Sequence, residues 1–138
     1  MVLKYLYAPD IEKEARIIIH ILGWNHIDLV NVGFLRSVGS TANYTIARCH
    51  GLGNAMRTGM QRKKSFYVIE VISERFDHLP RDEQIRIIIH ELMHIPKSFG
   101  GGFIHHNKVN ERTVNKIYKT YCELRYKLLI NHREEDGI

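Results

Sequence analysis

Apolar residues recur at helical spacing from Asp10 to Leu22, where Ile11, Ala15, Ile18, Ile19 and Leu22 share one face. Acids fill the first turn and Gly23 follows the end, so this segment is predicted to be a helix. The pattern then turns strand-like over His26 to Leu35, through Ile27, Leu29, Val30, Val32 and Phe34. Turn chemistry around Gly39 covers Ser37 to Thr41, and Asn43 to Cys49 reads as a second short strand. Gly51, Gly53 and Gly59 mark a loop ending in Arg62, Lys63 and Lys64. Phe66 to Ile72, rich in β-branched and aromatic residues, is a third strand. Pro80, Asp82 and Glu83 open a helix that Pro96 closes, predicted over Pro80 to Ile95. Beyond a glycine-rich loop, Asn107 is the expected cap of a last helix with a stripe of Val114, Ile117, Tyr118, Tyr121, Leu124 and Leu128. The order helix, three strands, helix, helix predicts an α+β domain whose helices cover a small three-stranded sheet.

Length and composition narrow this further. A chain of 138 residues suits one core, here residues 1–131 with a polar tail at 132–138. Hydrophobic residues at 44%, charged residues at 25% and only 3 Pro exclude disordered and collagen-like sequence. Apolar runs such as Ile17 to Ile19 are too short to cross a bilayer, and Asp10, Glu12 and Glu14 interrupt any signal-like N-terminus. Two cysteines, Cys49 and Cys122, make no disulfide framework, so the expected setting is a reducing cytoplasm. The segment RIIIH occurs twice, at Arg16 to His20 and Arg86 to His90, but the flanks differ, so it reads as two Ile-filled helices rather than a duplication.

The net charge of +5 is local. Leu29 to Ile69 contains no Asp or Glu but holds Arg36, Arg48, Arg57, Arg62, Lys63 and Lys64, so the rest of the chain carries −1. Such an excess makes either a solvated basic loop or a surface that attracts polyanions. A nucleic-acid partner held by Arg57, Arg62, Lys63 and Lys64 is therefore a secondary expectation.

Chemistry is concentrated in His90, Glu91, Leu92, Met93 and His94, which spell HELMH, an HExxH sequence. Residues four apart on a helix share a face about 6 Å apart along its axis, so both imidazoles can converge on one ion. Glu91 leans toward the same pocket, placed to take a proton from a metal-bound water and pass it to a leaving amine. The motif sits among Ile85, Ile88, Ile89 and Leu92, and polar residues in such an apolar helix are costly unless something satisfies them.

A catalytic zinc site needs a third ligand. The metzincin spacing would require glycine at 97 and a ligand at 100, but these are Lys97 and Gly100. Asn110-Glu111 resembles the gluzincin arrangement, although Glu111 sits close to His94 for that class. His105 and His106 follow Gly100, Gly101 and Gly102 directly. HELMHIP, a glycine-rich loop and then a histidine resemble the phage and archaeal metallopeptidases, compact zincins related to the SprT-like group. The resemblance is specific between Arg86 and Val114 and architectural elsewhere. It implies a zincin-like fold, Zn²⁺, a peptide or protein substrate, and His90, His94 and one of His105 and His106 as ligands. His106 is favoured, and Glu91 is implied as the catalytic acid/base. It would also permit proteolysis of DNA-bound proteins through the basic segment. A closed structural zinc site is the non-enzymatic alternative.

Other residues carry weaker expectations. The strand Phe66 to Ile72, or the one before it, could bind extended peptide at the cleft edge. Tyr118, Tyr121, Arg112 and His50 are candidate oxyanion stabilisers, with both tyrosines fitting the helix stripe better as core residues. Cys49 reads as an apolar residue and Trp24 as a core or rim aromatic. Gly100 to Gly102 form either a flap or a tight return to the metal, and the tight return suffices.

Overall fold

The structure, a computed structural model, describes residues 2–41 and 43–136. Four strands, β1 (Lys4–Tyr7), β2 (Val32–Val38), β3 (Ala47–Gly51) and β4 (Tyr67–Ile72), form one sheet in the order β1-β2-β4-β3. The β2–β4 pair is parallel and both outer pairs are antiparallel. Five helices accompany the sheet: α1 (Pro9–Leu22), α2 (Asn54–Gly59), α3 (Ser73–Phe76), α4 (Arg81–Met93) and α5 (Glu111–Asp136).

Strand alternation sorts the sheet into two faces. Tyr67, Ile69 and Val71 of β4 pair with Gly51, Cys49 and Ala47 of β3. The three β4 residues join the core cluster with Ile11, Ala15 and Ile18 of α1 and Ile85, Ile88 and Leu92 of α4. This is the helix-covered face. Val68 and Glu70, paired with His50 and Arg48, belong to the opposite, back face. Helix α1 is set by Pro9 in its first turn and by Gly23 in the left-handed conformation at φ 67°, whose N–H returns to the carbonyls of His20 and Ile19. Arg36 ties the helix-covered face together, donating to Asp10 of α1 at 2.7 Å and bridging Asp77, just after α3, at 3.0 Å.

The sheet has four strands rather than the expected three, because β1 also pairs with β2. Its residues KYLY are all exposed, so no alternating burial pattern announced it. The strand expected over His26 to Leu35 begins only at Val32. Asp28 accepts the Val30 N–H and caps a short 3₁₀ turn over Leu29–Asn31, which leaves Val30 87% exposed. The strand expected from Asn43 starts at Ala47, and the glycine loop after it contains α2, which buries none of its residues. Helix α5 starts at Glu111 rather than after Asn107, because Asn110 Oδ1 accepts the Thr113 N–H while Thr113 Oγ1 accepts the Asn110 N–H. The polar tail continues α5 as far as Asp136, and Gly137 and Ile138 lie outside the described residues. Among the described residues no helix is long and apolar enough to cross a membrane.

Candidate metal centre

Helix α4 presents the motif at its C-terminal end. His90 lies in its last turn and Glu91 on its buried side, and His94 follows as the C-cap. The final turn tightens, since the N–H groups of His94 and Ile95 reach the carbonyls of Glu91 and Leu92 three residues back. Pro96 then ends the segment.

From there the chain returns through a pinned loop. His94 Nδ1 donates to the Ile104 carbonyl at 2.6 Å, and the Ile104 N–H donates back to the His94 carbonyl at 2.9 Å. Tyr67, fully buried on β4, donates through its hydroxyl to the Gly102 carbonyl at 2.8 Å and accepts the Gly101 N–H at 2.9 Å. Its ring meets Phe99 and Phe103 edge-on, with centroids 4.8 and 6.0 Å away. Gly101 has φ 96°, and a Cβ there would lie 2.2 Å from the Leu52 carbonyl oxygen. The glycine loop is therefore a tight return rather than a flap.

This return brings His106 against the α4 histidines. Ring centroids are 5.0 Å apart for His90 and His94, 5.6 Å for His90 and His106, and 4.8 Å for His94 and His106. One ligand atom from each of the three lies within 4.8 Å of the others, a group that could hold a metal ion. Tetrahedral donors 2.0–2.1 Å from zinc sit roughly 3.4 Å apart, so modest side-chain rotations close the set on an ion. The Ile104 carbonyl fixes the His94 tautomer, protonated on Nδ1, and leaves Nε2 free as a ligand. His105 and Glu111 line the surrounding cleft but are not in the three-histidine group, and the His105 carbonyl instead accepts the Lys108 and Val109 N–H groups.

The electrostatics follow from burial. Burial, helped by His94 and His106, pushes His90 down to about 4, and burial also lowers His94. Both therefore stand as the neutral imidazoles that metal binding requires. Glu91, 7% exposed and 3.9 Å from His90 Nε2, is pushed up to about 7 by burial. Cys49 on β3 is pushed up to about 12 by burial and by Glu91, as expected of a thiol acting as an apolar residue.

The cleft has one wall of α4 and the return loop and another of β3, with Thr45, Ala47 and Cys49 facing His90, Glu91 and His94 in a space of about 420 Å³. A neighbouring space of about 540 Å³ extends it toward Arg86, Glu111 and Asn115. The family described as "putative phage metallopeptidase" matches residues 3–126. The chain belongs to that family. A metallopeptidase family implies a metal ion and a protein or peptide substrate, and the three-histidine group offers a place for the ion. No curated protein and no solved structure matches the chain.

The remaining candidates are dispersed. Strand β4 is internal, so β3, the strand before it, forms the sheet edge at the cleft. His50 points to the back face, where its Nε2 lies 2.7 Å from the buried carboxylate of Glu70, away from the metal group. Tyr121 is buried in the core, and Tyr118 packs under the Arg86 guanidinium at 4.7 Å. Trp24 packs half-buried against the core. Within the basic segment Arg36 is paired with Asp10 and Asp77, and Lys64 with Asp28 at 3.0 Å. Arg57 donates to the Lys63 carbonyl and Asn54, and Arg62 to Asn31. Sequence reasoning missed Tyr67 and the Ile104 carbonyl, whose roles depend on contacts 34 and 10 residues away. The three glycines were the only local sign that the chain must turn back there.

Proposed function

We propose that this chain is a zincin-like zinc peptidase that cleaves a polypeptide laid in extended form along β3. The observation that carries the reading is the convergence of His90, His94 and His106 on one point with Glu91 buried beside them. Three imidazoles with no fourth protein donor in the group among the described residues match an open catalytic site better than a closed structural one. Zinc bound there would supply Lewis acidity and lower the pKa of a water to near neutrality.

The chain's own groups provide the rest. Glu91 takes the proton on a carboxylate oxygen and delivers it to the leaving amine, and its dry setting raises its affinity for that proton. The free edge of β3 offers main-chain donors and acceptors to the substrate backbone, which aligns the scissile bond beside the histidines.

Glu91→Gln tests the mechanism. The variant should bind zinc as the parent does while peptide hydrolysis falls by at least about a thousandfold. Near-parental hydrolysis in that variant would overturn the role of Glu91, and loss of zinc would make it a structural residue.

A further inference from the structure

Behind β3, on the face of the sheet away from the histidines, lies a second hollow of about 430 Å³. Its walls are His50, Leu52, Met60, Arg62, Phe66 and Val68. Its volume is in the range of small-ligand pockets, about 300–1,000 Å³, with room for a Leu, Met or Phe side chain. The walls are held before anything binds. Glu70, 1% exposed, fixes the His50 imidazole at 2.7 Å. Asn31 accepts from Arg62 at 2.6 Å, and the Arg62 guanidinium sits 5.5 Å from the Phe66 ring centroid. The absence of a side chain at Gly33 lets the Phe66 ring lie across the sheet, since a Cβ there would meet it at 3.3 Å.

The link between this hollow and the metal cleft is β3 itself. Successive residues of an extended chain face opposite sides of a sheet. Ala47, Arg48 and Cys49 border the cleft, and His50 and Gly51 border the hollow. The Ala47 and Cys49 side chains stand on the helix-covered face beside Val71 and Ile69, and the His50 imidazole on the back face against Glu70. A peptide paired with the free edge of β3 alternates in the same way, so residues flanking the one beside the histidines project toward the back face. The wall there carries a positive charge: Arg62 lines the hollow and, among the described residues, has no carboxylate partner, and residues 29–69 contain no acid.

We propose that this hollow is a substrate subsite, taking a large apolar side chain within three residues of the scissile bond and preferring an acidic residue next to it. The proposal rests on the peptidase reading above, and the test separates the two.

The probe is a decapeptide library with one position fixed at a time, offered to the zinc-loaded full chain and to Met60→Glu, which puts a carboxylate at the hollow's mouth where Met60 is 54% exposed. At one position near the cleavage site, Phe or Leu should raise kcat/KM about tenfold or more over Ala. In Met60→Glu that ratio should fall below about threefold, through KM. No apolar preference at any position, or one that survives Met60→Glu, would overturn the proposal. In parallel, the methyl NMR signals of Leu52, Met60 and Val68 are followed in zinc-loaded Glu91→Gln as the best Phe-containing peptide is added. Shifts at these methyls without any cleavage by the parent would keep the subsite and sink the peptidase reading. Binding that leaves all three unmoved, or no binding at all, would sink the subsite whatever the activity.

Discussion

His94 and Ile104 exchange two hydrogen bonds, His94 Nδ1 to the Ile104 carbonyl at 2.6 Å and the Ile104 N–H to the His94 carbonyl at 2.9 Å. One pair of residues thus orients an imidazole and fastens the loop that carries the next one. Two residues after Ile104 comes His106, so the orientation of the His94 imidazole and the position of His106 are coupled through a single backbone segment.

The paired histidines at 105 and 106 should behave differently. His106→Ala should lose zinc measured per chain in the purified protein, as should His94→Ala, while His105→Ala keeps it. Retention of zinc by His106→Ala with loss in His105→Ala would reverse the assignment.

Tyr67→Phe keeps the ring among Phe99 and Phe103 but strands the Gly101 N–H and the Gly102 carbonyl. Both bonds are only part-buried, so losing them costs about 1 kcal/mol. Because the loop delivers His106, zinc affinity should also fall about 10–100-fold, as for other supports of a metal ligand. Chelator competition reads the affinity, and the visible spectrum of the Co²⁺-loaded variant reports whether three nitrogens still bind. Unchanged affinity together with an unchanged spectrum would remove Tyr67 from any positioning role.

Gly101→Ala forces a side chain into a left-handed backbone and against the Leu52 carbonyl. The expected loss is about 2–4 kcal/mol in denaturant unfolding. A variant as stable as the parent would mean that the return loop has room to rearrange.

Arg36 hydrogen-bonds Asp10 and holds its carboxyl below the usual range. A carboxylate whose folded-state pKa is depressed adds stability above its unfolded value of about 4, and that stability is lost as pH falls through the folded value. Asp10 is largely exposed, so solvent screening limits the contribution to about half a kcal/mol. Asp10→Asn should be less stable than the parent at neutral pH, with the difference closing in acid. A difference constant from neutral pH into acid, by urea unfolding, would show that the ion pair contributes nothing.

Much of this arrangement was legible in the residues alone. Helices α1 and α4 announced themselves through apolar spacing, Gly23 and Pro96, because helix signals are local and repeat every few residues. HELMH placed two imidazoles and a carboxylate for the same reason: within one helix, spacing in sequence is spacing in space. Strand β1 and helix α2 escaped, since neither buries a residue and so neither leaves a periodic pattern to read.

Tertiary structure decided what depends on distant partners. The sequence narrowed the third imidazole to two neighbours, but adjacent loop residues point differently, and only the turn closed by the His105 carbonyl and the Asn110–Thr113 cap sends His106 to the α4 histidines. Likewise β3 became the edge strand because β4 inserts between it and β2, a pairing set by long-range packing rather than local preference. Local spacing dictated the chemical groups and the helix that carries them. Their convergence, and the strand that faces them, came from contacts between segments whose order along the chain does not encode their order in the sheet.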